Sequence, residues 1–318
     1  MKILITGSAG HLGEALMRTL RGHELIGTDL LPSPFTTRAG SLLDRTFVAA
    51  CMSGVDVVLH TAALHKPHVA THRPQAFVDV NITGTLNLLE EAVDANVRAF
   101  ILTSTTSTFG DALIPPPGAP AAWITEDVVP VPKNIYGVSK LAAEDLCQLF
   151  ARNHNLPCVI LRTSRFFPEA DDLPEMRNRW DDTNLKANEF LYRRVDIEDV
   201  VSAHTCAIER AAEIGFARFV VSATTPFERE DLPALRHDAA AVLDRRVPEY
   251  RAVYAKRGFK MLPAVDRVYV SEQARHRLGW KPRYDFRSVL ARLSAGEDWR
   301  SPLARVVGYK GYHRSLGG

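Results

Sequence analysis

Apolar residues in the first half of the chain gather in short runs that alternate with helical repeats. Residues 2–6 form an apolar, β-branched run that ends in Gly7-Ser8-Ala9-Gly10, and leucine and alanine then recur at helical spacing. This pattern predicts a strand, a glycine turn and a helix. Further strands are predicted at 24–28, 55–60, 99–103, 158–162 and 218–222, and further helices at 87–95, 136–153 and 199–211.

The predicted strands are continuous apolar runs rather than alternating ones. Such runs are typical of a parallel sheet, because helices cover both of its faces. The predicted fold class is therefore α/β, a Rossmann-type doubly wound parallel sheet with a smaller C-terminal lobe. We expect that lobe to begin where a polar stretch without periodicity, 169–189, follows the last strand of the first half.

Composition and charge exclude several classes of function. Of the residues, 46% are hydrophobic, and 39 Lys and Arg face 37 Asp and Glu, a formal charge of +2. Such a chain folds, and its net charge attracts neither nucleic acid nor an anionic membrane. No apolar run approaches the ~20 residues that span a bilayer. The four cysteines are scattered without a CxxC pair, so we expect a reduced, cytoplasmic protein with no nucleic-acid or membrane partner.

The glycine turn carries the first chemical signal. Gly7, Gly10 and Gly13 recur at intervals of three residues between a strand and a helix, where backbone N–H groups can approach a pyrophosphate at the helix N-terminus. Asp29 follows the second strand, and a carboxylate there accepts hydrogen bonds from ribose hydroxyls and repels a 2′-phosphate. The pattern favours NAD over NADP. The alternative is that Asp29 only caps a loop.

A second signal is the pair Tyr136 and Lys140, four residues apart and hence on one face of a helix. A neighbouring ammonium favours the phenolate, so we expect it to lower the tyrosine pKa and make Tyr136 a general base. The alternative is a chance pair on a solvated helix face.

Seven segments resemble one family. They are ITGSAGHLG from Ile5, DVVLHTAALHKP from Asp56, NITGTLNLLEEA from Asn81, ILTSTTSTFG from Ile101, NIYGVSKLAAE from Asn134, RRVDIEDVVSAH from Arg193 and LGWKPRYDF from Leu278. In this combination and order the chain resembles the extended short-chain dehydrogenase/reductase superfamily, specifically its NAD-dependent epimerase/dehydratase group. The resemblance covers essentially the whole chain.

The resemblance implies roles for individual residues. Thr105 would bond the reacting hydroxyl as the partner of Tyr136, Lys140 would also hold the nicotinamide ribose, and Asn81 would order the central helix, unless it is only a helix cap. The catalytic set is Tyr136, Lys140, Thr105 and Asn81. The implied NAD-binding residues are Gly7, Gly10, His11, Leu12, Gly13, Asp29, Ser41, Leu42, Ala62, Ala63, Thr103, Tyr136 and Lys140. The implied substrate residues are His65, Thr105, Thr106, Arg165 and Arg194.

Departures from the family pattern narrow the expected chemistry. Thr106-Ser107 stands where 4,6-dehydratases carry Asp-Glu, so we expect no dehydration. Arg165 replaces an asparagine of nucleotide-sugar epimerases, and an arginine fork suits a carboxylate or phosphate. Tyr192 falls where those epimerases hold the pyrophosphate with an arginine, although Arg193 and Arg194 are adjacent. A smaller acidic sugar, as in uronate dehydrogenases, is therefore an alternative to a nucleotide sugar.

Three closely spaced histidines invite comparison with a metal site. His65, His68 and His72 have no cysteine or paired carboxylate nearby to complete a ligand set, so we expect no metal.

The expected function is that of an NAD-dependent sugar epimerase or dehydrogenase that removes hydride from a secondary alcohol carbon. The alternative is a non-catalytic dinucleotide-binding regulatory protein on the same fold. We expect residues 1–165 to form the NAD-binding domain, with 194–222 returning to the sheet, and residues 166–193 and 223–318 to form the substrate-binding lobe. The resemblance also implies a homodimer that pairs the helix of Tyr136 with its two-fold mate.

Overall fold

The computed structural model describes residues 1–171 and 173–311. They include a seven-stranded parallel sheet. Its strands are β1 Lys2–Thr6, β2 Glu24–Asp29, β3 Arg38–Ala39, β4 Val57–His60, β5 Ala99–Thr105, β7 Cys158–Thr163 and β8 Phe216–Val221. A separate parallel pair joins β6 Ala122–Ile124 to β9 Arg267–Tyr269. In the large sheet the order is β3-β2-β1-β4-β5-β7-β8, so the chain reverses its direction of winding between β1 and β4, where α/β folds bind ligands.

Helices connect the strands and form most of the C-terminal third. In the first half of the chain they are α1 His11–Thr19, α2 Arg45–Met52, α3 Pro74–Phe77, α4 Gly84–Asp94 and α5 Ile135–His154. The second half holds α6 Pro174–Arg179, α7 Asp182–Glu189, α8 Ile197–Ile214, α9 Leu232–Leu235, α10 Ala239–Arg246, α11 Tyr250–Arg257, α12 Glu272–Arg277, α13 Phe286–Ser294 and α14 Pro302–Val307.

Buried apolar side chains lie on both faces of the large sheet. One cluster joins the sheet to α1, α8 and α12, and another joins it to α2, α4 and α5. A further cluster lies among α7, α10, α11 and α13. These two covered faces explain why the strand sequences are continuously apolar.

The predicted α/β fold with a doubly wound parallel sheet is confirmed. The short strand β3 and helix α2 had no prediction, and the stretch 169–189 contains α6 and α7 although its sequence lacks a clear apolar period. The limits of the two expected domains stay predictions. Asp172 and residues 312–318 of the expected lobe lie outside the described residues.

Several expectations concern membrane insertion, the state of the cysteines and the homodimer. Within residues 1–171 and 173–311, no helix has both the length and the apolar character to span a membrane. Cys51, Cys147, Cys158 and Cys206 are free thiols. On α5, the helix of the expected dimer contact, Val138 and Leu149 are exposed. The homodimer and the cytoplasmic setting stay predictions.

Candidate active site

The glycine turn brings the ends of β1 and β4 together. Gly7 has φ +72°, and a Cβ at this position would lie 2.7 Å from the backbone nitrogen of Ala62. A Cβ at Gly13 would lie 2.0 Å from the carbonyl oxygen of Gly7. Gly10 caps the N-terminus of α1 and donates its N–H to the Gly7 carbonyl at 3.0 Å. The turn therefore requires glycine for backbone reasons, and it leaves the positive end of α1 at the carboxyl edge of the sheet.

Asp29 lies against this turn. Its carboxylate accepts the N–H of Ala9 at 3.0 Å and the N–H of Leu31 at 2.9 Å. The carboxylate thus bridges the glycine turn and the loop after β2, so it does more than cap its own loop. Next to the turn, Nε2 of His11 is 3.0 Å from a Glu169 carboxylate oxygen, and Leu12 is buried in the core.

The other residues expected around NAD lie on loops at the same edge of the sheet. Ala62 donates its N–H to the Thr6 hydroxyl at 3.2 Å, which holds the β4 loop, with Ala63, beside the turn. Ser41 accepts the N–H of Leu43 at 3.1 Å, and the Leu42 carbonyl accepts the Asn87 amide at 2.9 Å.

Farther along the sheet, the Thr103 hydroxyl lies 2.8 Å from a ring nitrogen of His204.

The glycine turn fits a dinucleotide. The backbones of Gly7 and Ala62 form a cradle that a Cβ would fill, and the N-terminus of α1 lies next to it.

Tyr136 and Thr105 meet at this edge. Asn134 caps α5 by accepting the N–H of Gly137 at 3.0 Å, which sets Tyr136 in the first turn of the helix. The Tyr136 phenol lies near the side chain of Thr105, the last residue of β5, which acts to lower the pKa of the phenol. Two residues that are distant in sequence are thereby placed to hold one substrate oxygen between them.

Lys140 lies one turn farther along α5 and is 2% exposed. Burial lowers its pKa to about 8, although the charge of Glu144 opposes the shift. Burial also raises the pKa of Tyr136 to about 12, although the side chain of Thr105 opposes the shift. The expected lowering of the Tyr136 pKa by Lys140 is therefore wrong for the groups of this chain, because desolvation of the phenolate is the largest effect and raises the pKa.

Asn81 joins the β4 loop to α5. It lies in a π-helical turn, Val78–Thr83, which is a feature often found at functional sites. Its side chain accepts the N–H of Leu64 and donates to the Leu64 carbonyl, both at 2.9 Å, and it also donates to the Ser139 hydroxyl at 2.9 Å. Asn81 is not a helix cap, and its contacts fix the position of α5 next to Lys140.

Two other expected substrate residues, Thr106 and His65, lie on the connections that follow β5 and β4. Thr106 is buried at the start of a 3₁₀ turn, Thr106–Phe109. The His65 ring stacks on Phe167 with ring centroids 5.4 Å apart. The His68 ring contacts the rings of His65 and His72. The described part of the chain holds no group of three or more His, Cys, Asp or Glu side chains that could bind a metal ion together.

A cationic cleft of about 390 Å³ opens beside the end of β7. Arg165 lines it, and its implied role as a substrate residue stays a prediction. Arg194, which the resemblance also implies as a substrate residue, does not line this cleft: its side chain is 1% exposed and is bound to Glu189 and to the Phe167 carbonyl. The neighbouring Arg193 lines the cleft instead. The other charged lining residues are Lys66, Asp171, Arg236, Asp266 and Arg267.

Sequence reasoning missed most of this cleft. The Arg193-Arg194 doublet was its visible signal in the sequence, and it did not tell which arginine lines the cleft. Arg236 and Arg267 come from distant segments and carry no local motif.

Comparison with known proteins places the chain in a family. The family model for the NAD dependent epimerase/dehydratase family matches residues 3–221. A Bacillus subtilis protein described as "uncharacterized UDP-glucose epimerase YtcB" is 30% identical over 185 residues, 51% of this chain and 55% of that protein. The chain spans about half the length of the first curated relatives it matches. UDP-glucose 4-epimerase from Streptomyces lividans is 27% identical over 94% of this chain and 96% of its own.

Solved structures share the fold. A short-chain dehydrogenase/reductase superfamily protein from Agrobacterium tumefaciens, with bound NAD, has a TM-score of 0.65 and 25% identity over 93% of this chain and 96% of its own. UDP-glucuronic acid 4-epimerase from Bacillus cereus has a TM-score of 0.64 and 22% identity over 96% of this chain and 100% of its own. Since the family model covers well over half of the residues, the chain belongs to the NAD-dependent epimerase/dehydratase family.

Proposed function

We propose that this protein catalyses NAD-dependent epimerisation at a secondary alcohol carbon of a nucleotide sugar. The observation that carries the proposal is the placement of Tyr136 in the first turn of α5 near Thr105 at the end of β5, with buried Lys140 one turn away and the glycine turn at the same edge of the sheet. The near full-length similarity to UDP-glucose 4-epimerase from Streptomyces lividans supports the substrate class.

Each residue of the proposed site has its own role in the reaction. Bound NAD would supply the hydride acceptor, and in its reduced form the hydride donor, for the sugar carbon that carries the hydroxyl. Thr105 orients the oxygen on that carbon, and Tyr136 takes its proton in the oxidation and returns it in the reduction. Lys140 stabilises the phenolate when it forms. Asp29 and the Gly7–Gly13 turn would hold the dinucleotide, and Leu42 would pack on its adenine.

A second candidate is net dehydrogenation of a free acidic sugar. It is favoured by Arg165 in the cleft, because a guanidinium binds a carboxylate through paired hydrogen bonds. An epimerase keeps the reduced cofactor bound and returns the hydride, whereas a dehydrogenase releases it. Absorbance of NADH should stay flat with UDP-glucose if the protein is an epimerase and rise with glucuronate if it is a dehydrogenase.

Replacing the phenol by a phenyl ring tests the assignment of Tyr136. Because positioned acid–base groups contribute roughly 10²- to 10⁴-fold, Tyr136→Phe should lower the turnover rate by that factor while NAD affinity stays within about threefold. Epimer formation measured by chromatography and NAD binding measured by calorimetry give the two readouts.

Tyr309→Phe is the matched control, because Tyr309 is 62% exposed. Undiminished turnover in Tyr136→Phe would refute the assignment. Absence of turnover in the unaltered protein with nucleotide sugars and acidic sugars alike would instead favour a regulatory protein.

A further inference from the structure

Two arginines stand side by side next to the catalytic end of the sheet. Thr105 on β5 pairs in register with Thr163 on β7, and Arg165 follows two residues later. The N–H of Arg165 is donated to the Arg193 carbonyl at 3.2 Å, and the N–H of Val195 is donated to the Arg165 carbonyl at 3.1 Å. This short parallel bridge fixes both arginines from their backbones, and both side chains line the cleft at 22% exposure.

A buried carboxylate lies behind the two guanidinium groups. One Glu189 oxygen is 2.7 Å from Nη2 of Arg193 and 3.4 Å from Nη1 of Arg165, while the other is 2.8 Å from Nε of Arg194. Glu189 is 1% exposed, and although burial by itself would raise its pKa, the three arginines lower the pKa to about 2. The permanent negative charge of Glu189 offsets the repulsion between the arginines and keeps them together.

The Asp171 carboxylate also contacts the same two arginines, and Asp171 is one of the residues that line the cleft. An oxygen of Asp171 is 2.5 Å from Nη1 of Arg165 and 3.8 Å from Nη2 of Arg193. Asp171 belongs to the connection between β7 and α6, whereas Glu189 belongs to α7. Both carboxylates contact the same two nitrogens, but only Asp171 lines the cleft, so only Asp171 stands where a ligand in the cleft would meet the arginines.

We propose that Arg165 and Arg193 form a binding site for an anionic group of the substrate, that Glu189 is its positioning residue, and that the substrate anion replaces the Asp171 carboxylate. This inference rests on the proposed function for the identity of the ligand as a substrate. We call Arg165 and Arg193 the arginine pair. Its geometry suits the two oxygens of a carboxylate or of a phosphate, because each guanidinium presents several parallel donors.

The charge of the surrounding cleft supports an anionic ligand. Lys66, Arg236 and Arg267 add three further cations to the lining, and Asp266 adds one carboxylate, which pairs with Arg267 at 2.9 Å. Among the described lining residues the cations outnumber the carboxylates both with and without Asp171, so the cleft favours a ligand that carries negative charge.

The two sources of such an anion can be separated by calorimetry. Glucuronate offers only a carboxylate, UDP only phosphates, and UDP-glucuronate both. Arg165→Gln and Arg193→Gln should each weaken binding of the ligand that uses the pair by roughly 10- to 100-fold, the usual effect of losing a charged hydrogen bond. A loss confined to glucuronate and UDP-glucuronate assigns the pair to the carboxylate, and an additional loss for UDP assigns it to phosphate.

Variants of the two acidic residues test the other parts of the proposal. Asp171→Asn removes the competing charge and should tighten binding of the same ligand severalfold, whereas weaker binding would overturn the displacement. Glu189→Gln should weaken binding like the arginine variants and leave NAD affinity unchanged, and Glu189→Asp, which keeps the charge, should restore part of the loss. If Glu189→Gln does not fold, Glu189→Asp and the two arginine variants, whose side chains are partly exposed, carry the test.

Arg210→Gln is the control, because Arg210 pairs with Glu213 on the exposed side of α8. Unchanged affinity for all three ligands in both arginine variants would overturn the site. Binding is measured apart from turnover, so the two proposals fail separately. If Tyr136→Phe turns over as fast as the unaltered protein, the proposed function fails while the binding series still decides the arginine pair.

Discussion

At the scale of single residues, the environment of Tyr136 and Lys140 matters more than their spacing. Their separation of four residues placed them correctly on one helix. Burial then raises the pKa of Tyr136 to about 12 and lowers that of Lys140 to about 8. At neutral pH the chain therefore presents a protonated phenol beside an ammonium, an arrangement suited to giving a proton to an alkoxide.

This arrangement predicts a pH dependence for the reduction half-reaction. Tyr136 stays protonated throughout the neutral range, whereas Lys140 loses its charge as the pH rises through about 8. If the ammonium is needed, the rate of keto-sugar reduction by NADH should fall about tenfold from pH 7 to pH 9. Single-turnover absorbance measurements check this, with Lys140→Gln expected to be slow and to lack the decline. A rate for the unaltered protein that stays constant over this range would contradict the role of the Lys140 charge.

Residue spacing identified the groups that follow a family pattern and missed those that meet only in three dimensions. Thr105, Tyr136 and Lys140 belong to recognisable segments. The sequence did not identify Glu189 as a site residue. Its role depends on contact with Arg165, 24 residues earlier in sequence, and the two meet only when α7 packs beside the end of β7.

At the scale of elements, the turn between β1 and α1 depends on the absence of a side chain at Gly13. A Cβ there would overlap the Gly7 carbonyl oxygen at 2.0 Å, so the helix would have to move away from the sheet. Gly13→Ala should lower the free energy of unfolding by about 1–3 kcal/mol or more and weaken NAD binding.

Gly22→Ala is the matched control, since a Cβ there meets nothing within 4 Å. Chemical denaturation and NAD calorimetry measure both variants. Equal behaviour of the two would show that the turn tolerates a side chain and would contradict the close approach of backbone to backbone.

The π-helical turn at Val78–Thr83 shows what element-level patterns do not reveal. Sequence periodicity predicts a helix from residue 87, whereas the structure starts α4 at Gly84 and precedes it by the turn that contains Asn81. A π turn leaves no periodic signature over so few residues. The Asn81 bonds to Leu64 and Ser139 exist only once the β4 loop and α5 are in place.

At the scale of the whole molecule, Asp199 on α8 anchors the segment before α13. Its carboxylate accepts the N–H groups of Arg283 and Tyr284 at 2.8–3.0 Å, and Trp280 donates its indole N–H to the Asp199 carbonyl at 3.0 Å. Burial raises the pKa of Asp199 to about 6, although the two backbone N–H groups oppose the shift. The folded protein therefore favours the protonated carboxyl.

That raised pKa predicts how stability changes with pH. The contribution of Asp199 is fully present below the unfolded-state pKa near 4 and is lost as the pH rises through about 6. The difference in unfolding free energy between the unaltered protein and Asp199→Asn should shrink by about 2 kcal/mol from about pH 4.5 to pH 7. Urea denaturation at both pH values measures this. Asp127→Asn, at an exposed site, should show no such change, and a constant difference for Asp199→Asn would contradict the buried acid.

The sequence by itself determined the doubly wound sheet, the glycine turn and the Tyr136–Lys140 helix, because each depends on apolar periodicity or on residues within a few positions of one another. Only the tertiary structure decided that Arg193 lines the cleft while Arg194 is buried, and that Glu189 and Asp171 both contact Arg165 and Arg193. Burial and long-range charge contacts arise from packing, so neighbouring arginines with the same local pattern acquire different surroundings.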